Sequence, residues 1–240
     1  MADAGQGLEA TDTNKGAANS NGAKMLDLGE DSSTVLVVGD SGCGKSTLIQ
    51  SFLKPNASKE PKPTFALEYA FARRKNAGKE NTKTLAHLWE LGGDIYEPKL
   101  LSVPLNVPNL SNASVIIVLD LSKPEDCFLS MKRWLSVVRE HLNARYNELK
   151  NSGSQGNASA HAMKDRAISA YNTAAANASA DESASTPVPH VDISRLRVSE
   201  VPILIIANKN DLFRNKHSSA DRRTLLQVWV WVWVWVWVWV

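Results

Sequence analysis

The sequence TVLVVGDSGCGKST at positions 34–47 decides the fold of this chain. Its first half is an apolar run typical of a buried β-strand, and the residues from Gly39 to Ser46 then fit the P-loop pattern of Gly, four residues and Gly-Lys-Ser. Glycines let the backbone curl so that successive N–H groups point at phosphate oxygens, and the N-terminus of the following helix adds partial positive charge. The stretch therefore predicts a phosphate-binding loop between a strand and a helix.

The candidate phosphate-binding residues extend from this loop into the first turn of the helix. Lys45 is expected to reach the β- and γ-phosphates of a nucleotide, and the Ser46 hydroxyl is expected to join the shell of a Mg²⁺ ion. A chance glycine-rich turn is the alternative, and the correct strand and helix flanks argue against it. The full candidate set is Gly39, Asp40, Ser41, Gly42, Cys43, Gly44, Lys45, Ser46 and Thr47.

The segments on either side of the loop predict a layered α/β domain. Like the strand before the loop, segments 114–120 and 201–208 are nearly continuous apolar runs, as in parallel strands covered on both faces. Segments 65–73 and 84–91 alternate more and suit an antiparallel pair with one strand at the edge. Helical periodicity is found at 45–53 and 124–150. We therefore predict a three-layer P-loop NTPase fold of the small-GTPase type, with a mostly parallel sheet and helices on both faces.

A second loop, Asn208-Lys209-Asn210-Asp211, follows the last apolar segment. In small GTPases an Asn-Lys-x-Asp run at this place reads guanine, because the aspartate accepts from two ring-edge N–H donors in a pattern that adenine lacks. An ordinary polar loop after a strand is the alternative, but the order and spacing after a P-loop favour the guanine interpretation. Asn208, Lys209 and Asp211 are therefore the candidate base-binding residues.

The segment between these loops indicates weak catalysis. Where GTPases usually carry Asp-x-x-Gly, Glu90 and Gly93 keep the spacing, but glutamate is the longer acid. Asp94 stands where hydrolysing GTPases commonly carry a glutamine that orients the attacking water. Thr64, after a proline, is placed to contact Mg²⁺, although a plain loop threonine fits equally well. We thus expect GTP or GDP with Mg²⁺ held through Ser46, Thr64 and Glu90, weak or absent hydrolysis, and no catalytic residue.

Composition limits the partners and the compartment. The chain has 240 residues and a formal net charge of +2, so nothing favours nucleic acid or an anionic membrane as its main partner. Its two cysteines are too few for a disulfide framework, and Cys43 lies inside the loop, which favours a reducing compartment. We expect neither nucleic-acid binding nor direct membrane insertion.

Three segments depart from the regular pattern. Residues 1–31 are rich in Ala, Gly, Asn and Asp, and we expect a disordered tail rather than a targeting signal. Within a domain spanning 32–227, residues 151–190 predict a mainly flexible low-complexity insertion that allows a short helix over 163–176. Residues 228–240 alternate strictly between Val and Trp, as a translated six-base DNA repeat would. We interpret them as an artefact that replaces the C-terminal part of the domain, which sequencing the 3′ end of the transcript tests.

Several segments together resemble the dynein light intermediate chain family. Residues 62–74 (KPTFALEYAFARR) are similar to its Pro-Thr-x-Ala-Leu-Glu-Tyr signature, and residues 86–93 (AHLWELGG) are similar to its Trp-Glu-Leu-Gly-Gly segment. Residues 119–124 (LDLSKP) match the segment after its fourth strand, and with the Ala-Arg-Arg that ends the first signature they point to the cytoplasmic dynein 2 branch. The resemblance covers about 35–150 and resumes over about 201–213.

The resemblance implies a GTPase-like domain that serves chiefly as a structural subunit. A member of the dynein 2 branch would bind the heavy chain and other dynein 2 subunits, associate with intraflagellar transport particles, and support retrograde intraflagellar transport and cilium assembly. It would reside in the cytoplasm, on the cytoskeleton, and in the cilium or flagellum, including the axoneme and basal body. Two alternatives stay open: an active small GTPase switch of the Rab-like or ciliary-transport kind, and a P-loop ATPase or nucleotide kinase. The latter would leave the Asn-Lys-x-Asp run without a purpose.

Overall fold

The computed structural model describes residues 32–56, 59–75, 83–93, 97–178 and 198–216. Five β-strands lie in these ranges, namely β1 (Ser32–Gly39), β2 (Leu67–Lys75), β3 (Lys83–Leu91), β4 (Ala113–Asp120) and β5 (Ile203–Asn208). The α-helices there are α1 (Lys45–Leu53), α2 (Pro98–Leu101), α3 (Pro124–Asn151), α4 (Ser154–Ala178) and α5 (Asn210–Lys216), with a 3-10 turn at Leu110–Asn112. Each strand, α1 and α3 lie where the apolar patterns predicted them, with shifts of one or two residues at the ends.

The strands form one sheet in the order β2-β3-β1-β4-β5. Strand β1 runs parallel to β3 and β4, β5 runs parallel to β4, and β2 runs antiparallel to β3. The nearly continuous apolar runs are therefore the parallel strands, because a strand covered on both faces needs apolar residues at successive positions. The predicted α/β class, with a mostly parallel P-loop NTPase-like sheet, is confirmed.

The central strand β1 contributes to a core on each face of the sheet. Leu36 and Val38 are fully buried in the cluster that contains Trp134 of α3. Val37, between them, points to the opposite face and packs in the cluster that contains Leu48 of α1. Successive side chains of a strand alternate between faces, so this one strand separates two helical layers. The arrangement fixes α1 on one side of the sheet and α3 on the other.

Helix α4 corrects the prediction for the insertion. The sequence predicts a mainly flexible segment at 151–190, whereas α4 is a continuous helix of 25 residues from Ser154 to Ala178. It packs along α3, since Ala160 and Met163 are buried and the Tyr146 hydroxyl donates a hydrogen bond of 3.2 Å to the carbonyl oxygen of Ala160. Alanine loses no side-chain entropy in a helix, so a few docking contacts stabilise a long one. The prediction weighed the scarcity of large apolar residues and gave too little weight to helix propensity.

Some predictions concern residues outside the described ranges. They are the tail at 1–31, the site position Asp94, the remainder of the insertion at 179–190, and the Val-Trp run at 228–240. These stay predictions. Within the described part of the chain, no helix combines the length and the apolar character needed to cross a membrane.

Candidate nucleotide-binding site

The two predicted loops meet at one edge of the sheet. The P-loop follows β1 and the Asn-Lys-x-Asp loop follows β5, and both strands belong to the parallel set, so their carboxyl ends share an edge. The side-chain amide of Asn208 donates a hydrogen bond of 3.0 Å to the carbonyl oxygen of Cys43, which joins the loops directly. Open parallel sheets bind ligands at this edge, where the strand order reverses. The topology thus brings the phosphate and base candidates together.

Gly44 illustrates how tightly the P-loop backbone is specified. Its φ of 94° lies in the left-handed region, which glycine adopts without strain. A Cβ at this position would lie 2.3 Å from Nδ2 of Asn208. Glycine is therefore needed both for the turn into α1 and for the contact between the two loops.

Lys45 places a buried positive charge inside the curl of the loop. Its side chain is 5% exposed, and Nζ donates hydrogen bonds of 3.0 Å to the carbonyl oxygens of Gly39 and Asp40. A buried ammonium needs such acceptors, because an unpaired one is costly. Ser41 in the loop and Thr47 in the first turn of α1 are exposed. The ammonium and the backbone N–H groups of the loop suit the oxygens of a phosphate.

The predicted Mg²⁺ ligands fit the ion with a nucleotide phosphate. The Ser46 hydroxyl donates a hydrogen bond of 2.7 Å to Oε1 of Glu90, so the longer acid still reaches from β3 to the start of α1. Oγ1 of Thr64 is buried and has no hydrogen-bond partner among the described residues. Buried hydroxyls are normally paired, and oxygen donors of this kind suit Mg²⁺, so a ligand there would satisfy Thr64.

Two glycines after β3 allow these segments to approach one another. A Cβ at Gly92 would lie 2.8 Å from the carbonyl oxygen of Thr64, and one at Gly93 would lie 2.2 Å from the backbone nitrogen of Ser41. The end of β3 is therefore in backbone contact with both the segment before β2 and the P-loop.

The base candidates have different surroundings. Lys209 has a left-handed φ of 60°, and its Nζ lies 2.7 Å from Oδ2 of Asp120. Asp211, in the first turn of α5, is exposed, and its carboxylate has no hydrogen bond or ion pair with any described residue. Its carboxylate can therefore accept from the paired N–H donors of guanine.

Asp40 is held by side chains that are not among the predicted site residues. Arg133 and Trp134 on α3 both donate to Oδ1 of Asp40, with a distance of 2.7 Å from the indole nitrogen. Burial raises the pKa of Asp40, but hydrogen bonds from Ser130 and Trp134 and the charge of Arg133 outweigh it, so the pKa is lowered. A signal existed for Trp134, because a buried indole N–H needs an acceptor.

Asp120 was also absent from the predicted site residues, although the strand pattern indicates its position beside Asn208. It ends the apolar run of β4 as Asn208 ends that of β5, and the two residues are direct partners in the parallel register. Burial raises the pKa of Asp120. Hydrogen bonds from Lys209 and Ser122 and the charge of Lys209 outweigh this effect, so the pKa is lowered overall. Polar residues at adjacent carboxyl ends of parallel strands converge, which predicts such a pair.

Both cysteines are buried free thiols. Burial raises the pKa of Cys43 despite the nearby Lys45 charge, and burial raises the pKa of Cys127 to about 12. Both groups are therefore protonated at neutral pH, and their reactivity is low because the thiolate is the nucleophile.

Comparison with known proteins identifies the family. A sequence model described as Dynein light intermediate chain (DLIC) matches residues 26–152, which is more than half of the 240-residue chain. The chain belongs to the dynein light intermediate chain family. The matched region includes the P-loop, Glu90 and α3. The candidate phosphate and Mg²⁺ ligands therefore lie within the region that matches the family.

Individual relatives carry dynein names. The Mus musculus protein "Cytoplasmic dynein 2 light intermediate chain 1" is 32% identical over 189 residues, which cover 79% of this chain and 47% of that protein. The Homo sapiens protein of the same name is 32% identical over 184 residues, covering 77% and 46%. Homo sapiens "Cytoplasmic dynein 1 light intermediate chain 1" is 35% identical over 109 residues, covering 45% and 20%. The chain thus spans about half the length of the dynein 2 relatives it matches.

Proposed function

We propose that this chain is a non-catalytic light intermediate chain of cytoplasmic dynein 2. The observation that carries the proposal is the share of this chain that aligns with each relative. This share is 79% for the mouse dynein 2 relative and 45% for the human dynein 1 relative. On this proposal the chain binds the dynein 2 heavy chain and other dynein 2 subunits. It associates with intraflagellar transport particles and supports retrograde intraflagellar transport and cilium assembly, in the cytoplasm, on the cytoskeleton and in the cilium or flagellum, including the axoneme and basal body.

The nucleotide site serves stability in this proposal. Lys45 would neutralise phosphate charge, Ser46, Thr64 and Glu90 would hold Mg²⁺, and Asp211 would read guanine, so GTP or GDP is the expected ligand. Asp94 in place of a water-orienting glutamine supports slow or absent hydrolysis. A ligand that binds only the folded state stabilises it by about 2.7 kcal/mol when its concentration is about 100 times Kd.

Affinity purification tests the motor assignment. The transcript-verified full-length protein is tagged in its own ciliated or flagellated cells, and the proteins that co-purify are identified. We expect a dynein heavy chain and intraflagellar transport proteins. Recovery of exchange factors or membrane proteins without a heavy chain would contradict the proposal. The Lys45→Gln variant, with the exposed-lysine variant Lys164→Gln as control, should retain the heavy chain in proportion to the soluble protein, because the subunit role does not require turnover.

Thermal unfolding with nucleotides tests the ligand separately. GDP and GTP with Mg²⁺ should raise Tm, and ADP should not, because the Asp211 carboxylate finds no matching donor pair on adenine. Asp211→Asn should reduce the preference for guanine, while Lys164→Gln should leave it unchanged. Equal shifts with ADP and GDP would contradict the base assignment and leave the motor assignment standing.

An active GTPase switch is the second candidate, favoured by the intact phosphate loop and the Ser46–Glu90 contact. A single-turnover assay with GTP separates the two. Ras-type switches hydrolyse GTP at about 3–5 × 10⁻⁴ s⁻¹ without an activator. A comparable rate that Lys45→Gln abolishes would favour the switch, whereas a rate far below it favours the structural subunit.

A further inference from the structure

Strand β2 forms one edge of the described sheet. It pairs with β3 on one side in an unbroken antiparallel register from Leu67↔Leu91 to Lys75↔Lys83, and none of the described strands pairs with its other side. Natural edge strands are usually short or interrupted by proline or a bulge. This nine-residue strand has no proline, and its continuous register has no bulge. Its outer row of backbone groups is therefore suited to accept another strand.

An aromatic row follows one face of this edge. Tyr69, Phe71 and Arg73 occupy alternate positions, so their side chains share a face. Tyr69 is 44% exposed and Phe71 is 49% exposed, with their ring centroids 6.4 Å apart. The Arg73 guanidinium lies 5.1 Å from the centroid of the Phe71 ring. Clustered exposed aromatic side chains of this kind mark interaction sites.

The neighbouring strand holds this row in place. The Tyr69 hydroxyl lies 2.8 Å from Nδ1 of His87, and the Tyr69 ring centroid lies 4.8 Å from that of Trp89. His87 is buried and Trp89 packs against the core, so both are fixed by the sheet. Tyr69 is thus pre-organised although nearly half of it is exposed, and pre-organised groups lose less entropy on binding.

Charge along the edge is asymmetric. After the aromatic pair, β2 continues with Arg73, whose side chain is exposed. Near the other end of the strand lies Glu68, whose side chain is also exposed. The edge is therefore aromatic in its middle and carries an exposed arginine toward one end, which complements a segment that is apolar in its middle and acidic at its end.

We propose that the β2 edge binds an acidic, extended segment of a partner protein by strand addition. Main-chain hydrogen bonds to β2 would supply affinity, as in other complexes where a peptide extends a sheet. Alternate apolar side chains of the segment would pack beside Tyr69 and Phe71, and a carboxylate would pair with Arg73. The site is separate from the nucleotide site and does not depend on the proposed motor assignment.

A synthetic peptide tests the proposal with the full-length protein. The probe is a fluorescent peptide of alternating Val and Thr with two Asp residues at each end, so that either strand orientation places an acid near Arg73. Controls are the same peptide with Lys in place of Asp, and the Asp peptide with a central proline that removes a backbone donor. Fluorescence anisotropy should show saturable binding of the Asp peptide alone.

Matched variants locate the binding site. Arg73→Glu should weaken binding of the Asp peptide by at least about threefold, because a favourable cross-strand pair becomes a like-charge pair. Phe71→Ser should weaken it by a similar factor through lost packing. The controls are Lys164→Glu, which reverses an exposed charge on α4, and Phe52→Ser, which removes a 68% exposed phenylalanine on α1. Both controls should bind as the unsubstituted protein does, and circular dichroism should confirm that all four variants fold.

Three results would overturn the proposal. The first is equal binding of the Asp and Lys peptides, or no binding of either. The second is binding that Arg73→Glu and Phe71→Ser leave unchanged. The third is binding seen only in the triple variant D27N/E30Q/D31N, because these acids precede β1 in the sequence and that result would assign the edge to the chain's own N-terminal segment.

Discussion

Replacing Gly44 by alanine tests the contact between the two loops of the site. The new Cβ would lie 2.3 Å from Nδ2 of Asn208, and only atoms of that side chain lie within 4 Å. The asparagine can turn away, but it then loses its hydrogen bond of 3.0 Å to the carbonyl oxygen of Cys43. Gly42 provides the matched control, because it has a φ of 72° and a Cβ there would meet nothing within 4 Å.

The expected cost has two parts. A left-handed alanine costs about 1–2 kcal/mol, and the reduced entropy of the unfolded chain returns about 0.4–1 kcal/mol, so Gly42→Ala should lower the free energy of unfolding by about 1 kcal/mol. Gly44→Ala carries the same backbone cost and also loses a hydrogen bond worth about 0.5–1.5 kcal/mol. We therefore expect Gly44→Ala to be the more destabilising by about 1 kcal/mol.

Urea unfolding with a double-mutant cycle measures the difference. Circular dichroism is the appropriate probe, because its far-ultraviolet signal reports on the helices and the sheet and does not rely on tryptophan fluorescence. In an Asn208→Ala background the clash and the hydrogen bond are both gone, so Gly44→Ala should cost no more than Gly42→Ala does. The coupling between positions 44 and 208 should be about 1 kcal/mol. Equal costs for the two alanines in the unsubstituted chain, or a cost of Gly44→Ala that Asn208→Ala leaves unchanged, would refute the reasoning.

Other contacts at the site give three more expectations, each measured by urea unfolding. Trp134→Phe removes the indole donor to Asp40 together with part of a buried side chain, and should lower the free energy of unfolding by about 1 kcal/mol or more. Asp120→Asn should destabilise at pH 7. Because the pKa of Asp120 is lowered in the folded state, this difference should shrink as the pH falls below the ordinary value of 3.8 and through the folded-state pKa. Gly93→Ala forces a Cβ to within 2.2 Å of the Ser41 nitrogen. It should cost about 1–3 kcal/mol, as overpacking does.

Each of these has its own contradicting result. An unchanged free energy of unfolding in Trp134→Phe would mean that Arg133 alone holds Asp40. A destabilisation by Asp120→Asn that persists undiminished at the lowest pH would mean that the paired carboxylate is not its source. A neutral Gly93→Ala would mean that the P-loop shifts without cost, contrary to the close approach of the two backbones.

The sequence predicts the sheet and the meeting of the two candidate loops well, because both depend on local patterns. Strand β1 and Lys45 are specified by a contiguous motif, and the apolar run of β4 is specified by burial on both faces. The contact of Asn208 with the P-loop follows once the strands are known to be parallel. The positions of Lys45 and Asn208 thus follow from the direction and the order of the strands alone.

The helices on one side of the sheet are harder to predict. Whether Arg133 reaches Asp40 depends on how α3 is rotated and how far along the sheet it lies, and neither is contained in its own periodicity. The periodicity shows that Trp134 is buried but not which acceptor its N–H finds. Helix α4 was not predicted because it contains few large apolar residues. Its packing depends on the surface of α3, which its own sequence does not specify.

The contacts around the P-loop bear on why a nucleotide site would persist in a structural subunit. Asn208 holds the loop from the β5 side, Trp134 and Arg133 hold Asp40 from α3, and Lys45 bonds two of the loop's own carbonyls. A switch needs segments that change arrangement when the γ-phosphate is lost. Here the loop is fixed by protein groups on several sides, and those groups belong to the strands and helices that form the core. These contacts tie α3 and β5 to the P-loop, so they contribute to the rigidity of this part of the domain.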